Sequence, residues 1–227
     1  MSRMGAAPGP SRWRNPHVRC LMDAGGAGRR ALKLWCELWV AGAAGPAAEV
    51  WRGALIAAPA KPDGGVRPIC LQESLVKLAA NVLAQLHQSD LRRAAGNHQL
   101  GVGEQARADV AAMLLAGALR EDDTEAMTSL DVANAFGTLQ HWAIFAALTD
   151  YAPFLLPLLT DLWQTSGLRV WQRDGAEWHS RYATCGIPQG DPLAAWIYCI
   201  TQRWLLDKSP SPPAPPHSNG STIARSP

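Results

Sequence analysis

The chain has 227 residues, of which 48% are apolar and 18% charged, and its formal net charge is +2. That balance predicts a globular core and excludes a disordered polyelectrolyte; any attraction to nucleic acid must come from local basic surface rather than bulk charge. Five cysteines without a Cys-x-x-Cys argue against a disulfide scaffold or zinc site, and no apolar run approaches the roughly 18 residues of a membrane span, so the chain reads as intracellular, cytoplasmic or nuclear, with no membrane partner.

Residues 1–28 are rich in Gly, Ala, Pro and Arg and are expected to be disordered. Leu32, Trp35, Cys36 and Trp39 recur at spacings of three and four, which predicts a helix over Arg29 to Val40. A strand over Val50 to Ala58, a turn at Lys61 to Gly65 and a returning strand over Val66 to Leu71 make a hairpin signal around Asp-Gly-Gly. A helix follows over Glu73 to Leu86, with Leu75, Leu78, Ala79, Val82 and Leu86 on one face. After the glycine-punctuated Gln99 to Gly103 comes an amphipathic helix, Glu104 to Leu119, whose apolar face runs through Val110, Met113 and Leu114.

The acidic run Glu121 to Glu125 reads as a solvated loop, and Ala126 to Val132 as a short strand ending at Asp131. Helices are predicted over Leu139 to Leu148 and Phe154 to Trp163. Leu168 to Arg173 and Trp178 to Thr184 flank Asp174-Gly175 as a second hairpin. The last helix spans Asp191 to Leu206, with Asp191 as its cap, Pro192 at its first position and Leu193, Trp196, Ile197, Ile200 and Trp204 as its buried stripe. From residue 208 a Pro/Ser-rich tail cannot build a core.

Three segments carry chemistry: Lys61 to Ile69 (KPDGGVRPI), Ser129 to Phe136 (SLDVANAF) and Gly186 to Leu193 (GIPQGDPL). Two cations at a hairpin tip can fold over a triphosphate, Arg as a planar fork and Lys as a mobile point charge. A carboxylate at a strand end is rigidly aimed, which suits a metal ligand. Pro-Gln-Gly before a helix N-terminus lets backbone approach a ligand closely. Each also has a plainer reading: solvent-facing charge on a hairpin for Lys61 and Arg67, a turn cap for Asp131, a core ring for Phe136, a well-started helix for Gln189 and Gly190.

In this order the three segments resemble the fingers and palm of a reverse transcriptase, an RNA-directed DNA polymerase, of the non-LTR retrotransposon type. The resemblance covers Leu55 to Leu206. It implies an α+β, helix-rich partial right-hand polymerase with short antiparallel hairpins: a fingers-like region at 29–125 and an incomplete palm at 126–207, between a disordered segment 1–28 and a disordered tail 208–227. It implies a two-metal site for nucleotidyl transfer, with two Mg²⁺ ions. Asp131 would bind both, and the Val132 carbonyl would hold the nucleotide-bound one. Lys61 and Arg67 would contact the triphosphate. The Phe136 ring would lie under the sugar and reject a 2′-OH, and Gln189 and Gly190 would meet the incoming nucleotide and its template base. The implied partners are an RNA template, a DNA primer and a deoxynucleotide triphosphate.

Two departures from the family bear on the site. Gly137 follows Phe136, where many members carry Asp or Asn. The Tyr-x-Asp-Asp hairpin of the family, its second catalytic carboxylate, has no counterpart, and the chain reads as cut off before it. One carboxylate then holds two cations poorly, so Mg²⁺ binding is expected to be weak at most. The functional expectation is an RNA-directed DNA polymerase by descent, inactive as given. The alternative is a non-catalytic nucleic-acid- or protein-binding remnant of a retroelement. A third reading is an α-rich domain with chance motifs.

Overall fold

The computed structural model describes residues 7–62, 64–97, 99–103, 107–120, 131–163, 168–173 and 177–209. Helices α1 (Asn15–Asp23), α2 (Gly26–Val40) and α3 (Ala47–Trp51) come first. Strands β1 (Ala54–Ala57) and β2 (Ile69–Gln72) form a hairpin. Then follow α4 (Ser74–Leu86), α5 (Gln88–Ala95), α6 (Arg107–Ala118) and the one-turn α7 (Ala135–Thr138). Next are α8 (His141–Tyr151), a 3-10 turn at Pro153–Leu155 and α9 (Leu156–Trp163). Strands β3 (Leu168–Arg173) and β4 (Glu177–Tyr182) make the second hairpin, and α10 (Ala194–Lys208) follows.

The architecture is α+β and helix-rich. Both hairpins are antiparallel, but they join into one sheet of order β2-β1-β3-β4. The join is parallel, with Ala54 opposite Arg169 and Leu55 opposite Val170. A parallel pair needs a long crossover, and the chain from α4 to α9 supplies it. Nothing local in the sequence marks a pairing between strands so far apart, which is why it reads as two separate hairpins.

One apolar core gathers α2, α4, α5, α8, α9 and α10 around Trp39, Leu83, Leu91, Ile144, Leu158 and Ile197, all buried. The α10 stripe is where the periodicity puts it: Leu193, Trp196, Ile197 and Ile200 are buried, and Trp204 is half-buried. Burying each such aliphatic side chain is worth about 1.5–3 kcal/mol. Polar contacts hold the far end of α10 to α8. Trp204 Nε1 donates to Asp150 Oδ2 at 2.8 Å, and the Tyr151 hydroxyl donates to Asp207 Oδ2 at 2.6 Å. Among the described residues no helix is long and apolar enough to cross a membrane.

Several expectations are corrected. Residues 7–28 are not loose: α1 buries Val18 against Leu32 and Leu75, under Trp13 and Trp35. A strap ahead of α1 is clamped to the start of α4. Ser11 donates both its backbone N–H (2.6 Å) and its hydroxyl (2.5 Å) to the buried Glu73 carboxylate, and the Ser74 hydroxyl donates to the Trp13 carbonyl at 2.7 Å. Its glycines and alanines conceal how much of its apolar surface lies on a few residues. The first strand is shorter than Val50 to Ala58, because α3 occupies its beginning. The apolar face of α6 is not buried: Val110, Met113 and Leu114 are all exposed. Helix α5 is an addition to the elements expected from the sequence. Residues 121–130, which hold the acidic loop and most of the strand expected before Asp131, lie outside the described residues, as do 210–227 of the tail. Asp131 and Val132 themselves belong to no strand.

Candidate active site

The site is built where three stretches of chain meet: the turn after Asp131, the loop before α10 and the outer edge of β2. Asn134 takes a left-handed backbone (φ 51°, ψ 42°) and starts α7. The carbonyls that α7 leaves open are used across the site, where the Ile187 N–H donates to the Phe136 carbonyl and the Gly186 N–H to the Leu139 carbonyl, both at 2.7 Å. Gly186 has φ 82°, and a Cβ there would stand 2.7 Å from the Gly137 carbonyl oxygen. Only glycine fits so close an approach. His141 steadies the junction, with one ring nitrogen 3.0 Å from the Gly186 carbonyl and the ring stacked on Trp163.

The other face of the loop is bound to the first hairpin. The Cys70 N–H donates to the Gln189 carbonyl at 3.0 Å, so the loop continues the β2 edge. Gly190, with φ 105°, lies directly over the Cys70 carbonyl. Asp191 is buried and fully engaged: Oδ1 accepts from the Leu193 N–H at 2.8 Å, and Oδ2 from Gln72 Nε2 at 2.9 Å. It caps the turn Asp191–Leu193, and the helix proper begins at Ala194 rather than at Asp191.

Phe136 is half-buried, its ring 5.3 Å from that of Tyr198 on α10. Burial pushes the Tyr198 phenol above its ordinary pKa, and the Cys199 thiol and the Asp131 carboxylate push the same way. Asp131 thus faces the Phe136–Tyr198 floor closely enough for its charge to be felt there. Asp131 is exposed and makes no hydrogen bond among the described residues; Val132 beside it is exposed too.

Lys61 and Arg67 are exposed on the hairpin tip, which Ala60 and Val66 close by a bridge and the Arg67 N–H ties to the Pro59 carbonyl. Arg67 stands three residues before Cys70, about 10 Å along the strand from the loop contact. Of the residues marked in the sequence, Gln189 and Gly190 are therefore joined to the strand that carries the Lys61–Arg67 tip, and Phe136 to the loop that carries Gln189. Gln72, Cys70, His141 and Tyr198 escape sequence reading. Gln72 and Cys70 share a face of β2 by the strand period of two, but nothing in their identity points to the loop they hold.

Mg²⁺ takes oxygen ligands, chiefly carboxylates. Among the described residues no three acidic, His or Cys side chains gather. Among the described residues Asp131 is the one free carboxylate here, since Asp191 is engaged by Gln72 and Leu193. These residues do not fit a two-ion centre.

The profile of the family described as reverse transcriptase (RNA-dependent DNA polymerase) matches residues 59–211, well over half of the chain. The chain belongs to the reverse transcriptase family. The matched span begins just before the Lys61 tip, takes in Asp131, Phe136 and the Gly186–Leu193 loop, and ends beyond α10. Comparison with curated proteins gives no match.

Proposed function

We propose that this reverse transcriptase domain is of the non-LTR retrotransposon type by descent, and that its 227 residues engage nucleotide or nucleic acid without polymerising. The observation that carries this reading is the contrast within one site. The described residues bring the Gln189 loop, the Phe136–Tyr198 floor and the Lys61–Arg67 hairpin together, and among them Asp131 is the single free carboxylate at the site. Lys61 and Arg67 would meet phosphates, Phe136 the sugar, and Gln189 and Gly190 the base pair. Asp131, with the Val132 carbonyl, would hold Mg²⁺ weakly at most. Without a second carboxylate, charge at the leaving group goes uncompensated, and that compensation is the largest part of such catalysis.

Two measurements test the reading. Primer extension on an RNA template with a DNA primer, with Mg²⁺ or Mn²⁺, is expected at background. Template-dependent extension that vanishes in Asp131→Ala would overturn it. Fluorescence anisotropy with a labelled RNA–DNA hybrid is expected to show salt-dependent binding that weakens in Lys61→Glu/Arg67→Glu. Binding without extension supports this reading, a reverse-transcriptase-derived domain that binds nucleic acid and does not polymerise. Absence of binding leaves the protein-binding remnant.

A further inference from the structure

The strap ahead of α1 meets the junction of β2 and α4 residue by residue. Gly9 lies on Gln72: a Cβ at Gly9 would stand 2.8 Å from the Gln72 carbonyl oxygen and 2.7 Å from the Glu73 nitrogen, so only glycine permits the approach. Ser11 lies on Glu73 and gives both its N–H and its hydroxyl to the carboxylate. Trp13 lies on Ser74, whose hydroxyl donates to the Trp13 carbonyl. Alternate residues of the strap thus hold three consecutive residues of the junction.

Glu73 stands at the N-cap of α4, yet its side chain caps nothing there. A carboxylate so placed can accept from the free N–H groups of its own helix. This one is 2% exposed and is given to the strap instead. The strap turns at Arg12, whose φ of 62° is left-handed. That conformation is disfavoured for a residue with a Cβ, so closure depends on the contacts with residues 72–74 rather than on local preference.

The same junction carries the loop of the candidate active site. Gln72 Nε2 donates to Asp191 Oδ2 at 2.9 Å, and the Cys70 N–H donates to the Gln189 carbonyl at 3.0 Å. Gln72 Oε1 is buried and meets no donor among the described residues, so that half of the amide adds nothing to holding the residue in place. The Gln72 backbone lies under Gly9, and its side chain reaches Asp191. Half-buried Lys77 adds a second link. Burial lowers the pKa of its ammonium, and Asp191, Glu73 and Cys70 raise it, so one cation faces both the strap's carboxylate and the loop's.

We propose that Ser11 and Glu73 are positioning residues for the Gly186–Asp191 loop: the closed strap fixes Gln72, and Gln72 fixes Asp191 and the loop with it. The strap is a latch, closed in this structure. Open, it frees the β2–α4 junction to shift, and the loop follows. The consequence for ligands rests on the proposed function, in which Gln189 and Gly190 meet the base pair: an open latch weakens that contact.

Hydrogen exchange of the 227-residue chain tests this, read by mass spectrometry over Gly186–Leu193 with α8 as the internal reference. Ser11→Ala is expected to speed exchange in the loop about threefold or more, Gly9→Ala to speed it further, and both to leave α8 unchanged. Ser11→Thr keeps the hydroxyl and is expected to exchange like wild type. In an Asp191→Ala background, where the relay is already cut, Ser11→Ala is expected to add nothing in the loop. A strap that only pinned α1 would loosen residues 7–28 and the first turn of α4 and leave the loop as it was. That result would overturn the proposal, as would an equal effect of Ser11→Ala with and without Asp191. Exchange needs no ligand, so a wild type that binds no nucleic acid fails the proposed function and not the latch. Anisotropy with the labelled RNA–DNA hybrid reads the consequence. Its Kd is expected to rise about threefold in Ser11→Ala and to return in Ser11→Thr, and a loosened loop with an unchanged Kd would overturn the link from latch to binding.

Discussion

Asp191 and Asp131 stand on the two sides of one site, and the fold treats them oppositely. Asp191 is buried, with both oxygens engaged by Leu193 and Gln72. Its loop is further fixed by Cys70 on one side and by Phe136 and Leu139 on the other. Asp131 is exposed, in irregular chain, and makes no hydrogen bond among the described residues, though its charge is felt at Tyr198. The loop side is thus self-sufficient: its residues satisfy one another whether or not a ligand comes. The Asp131 side has a carboxylate that no packing explains, and a carboxylate of that kind acquires a role only from partners outside these contacts.

The largest test of the self-sufficient side is Gly186→Val. It forces a left-handed backbone on a β-branched residue and drives a Cβ against the Gly137 carbonyl. The expected cost is about 3 kcal/mol or more, a Tm fall of roughly 6–12 °C by thermal melting. A fall of under about 2 °C would mean the contact between α7 and the loop is slack. Next is Asp191→Ala. It strands the Leu193 N–H and Gln72 Nε2 in a buried setting, at an expected cost of about 2–3 kcal/mol. Gln72→Leu is expected to recover none of this, because it leaves Asp191 itself half unpaired. If Asp191→Ala melts like wild type, the loop is held by its backbone alone.

How far the sequence discloses all this differs between the same two sides. Helix α10 is legible because Leu193, Trp196, Ile197 and Ile200 repeat at its period and its buried face follows directly. The second hairpin is legible from Asp174-Gly175 and the alternation beside it, and its strands are β3 and β4 nearly as marked. The motif around Gln189 is plain, but its attachment to β2 is not. Backbone bonding between Cys70 and Gln189 depends on no side chain, so residue types carry no trace of it. Helix α6 misleads for a different reason. Its apolar face announces burial, and periodicity says that a partner is needed without saying whether this chain supplies it. The strap at Ser11 is hidden by composition: a segment of Gly, Ala and Pro reads as loose until one glutamate, Glu73, is seen to hold it.

A smaller effect separates core from surface on α10 itself. Burial pushes the Cys199 thiol up to about 11 from 9.0, against a lowering bond from Gln99. A folded pKa above the unfolded one means that the stability is intact below pH 9 and is lost as pH rises towards 11. The loss is about 1 kcal/mol by pH 10, seen as a falling Tm between pH 9 and 10. The raised phenols of Tyr198 and Tyr151 act in the same sense. Cys199→Val, close in volume, is expected to flatten part of that slope. An unchanged slope would assign the alkaline loss to the tyrosines.

The smallest expected effect is the most pointed. Asp131→Ala removes the carboxylate that the proposed function assigns to Mg²⁺, yet no described contact depends on it. Its Tm is expected within about 1 °C of wild type, as for surface substitutions generally. The Tyr198 phenol should move down slightly, because one of the charges that raises it has gone. Ultraviolet titration of the tyrosines against pH reads that shift, and Asp191→Ala serves as the comparison. A large Tm fall in Asp131→Ala would break the contrast between the two aspartates. It would give Asp131 a structural role that no described contact shows.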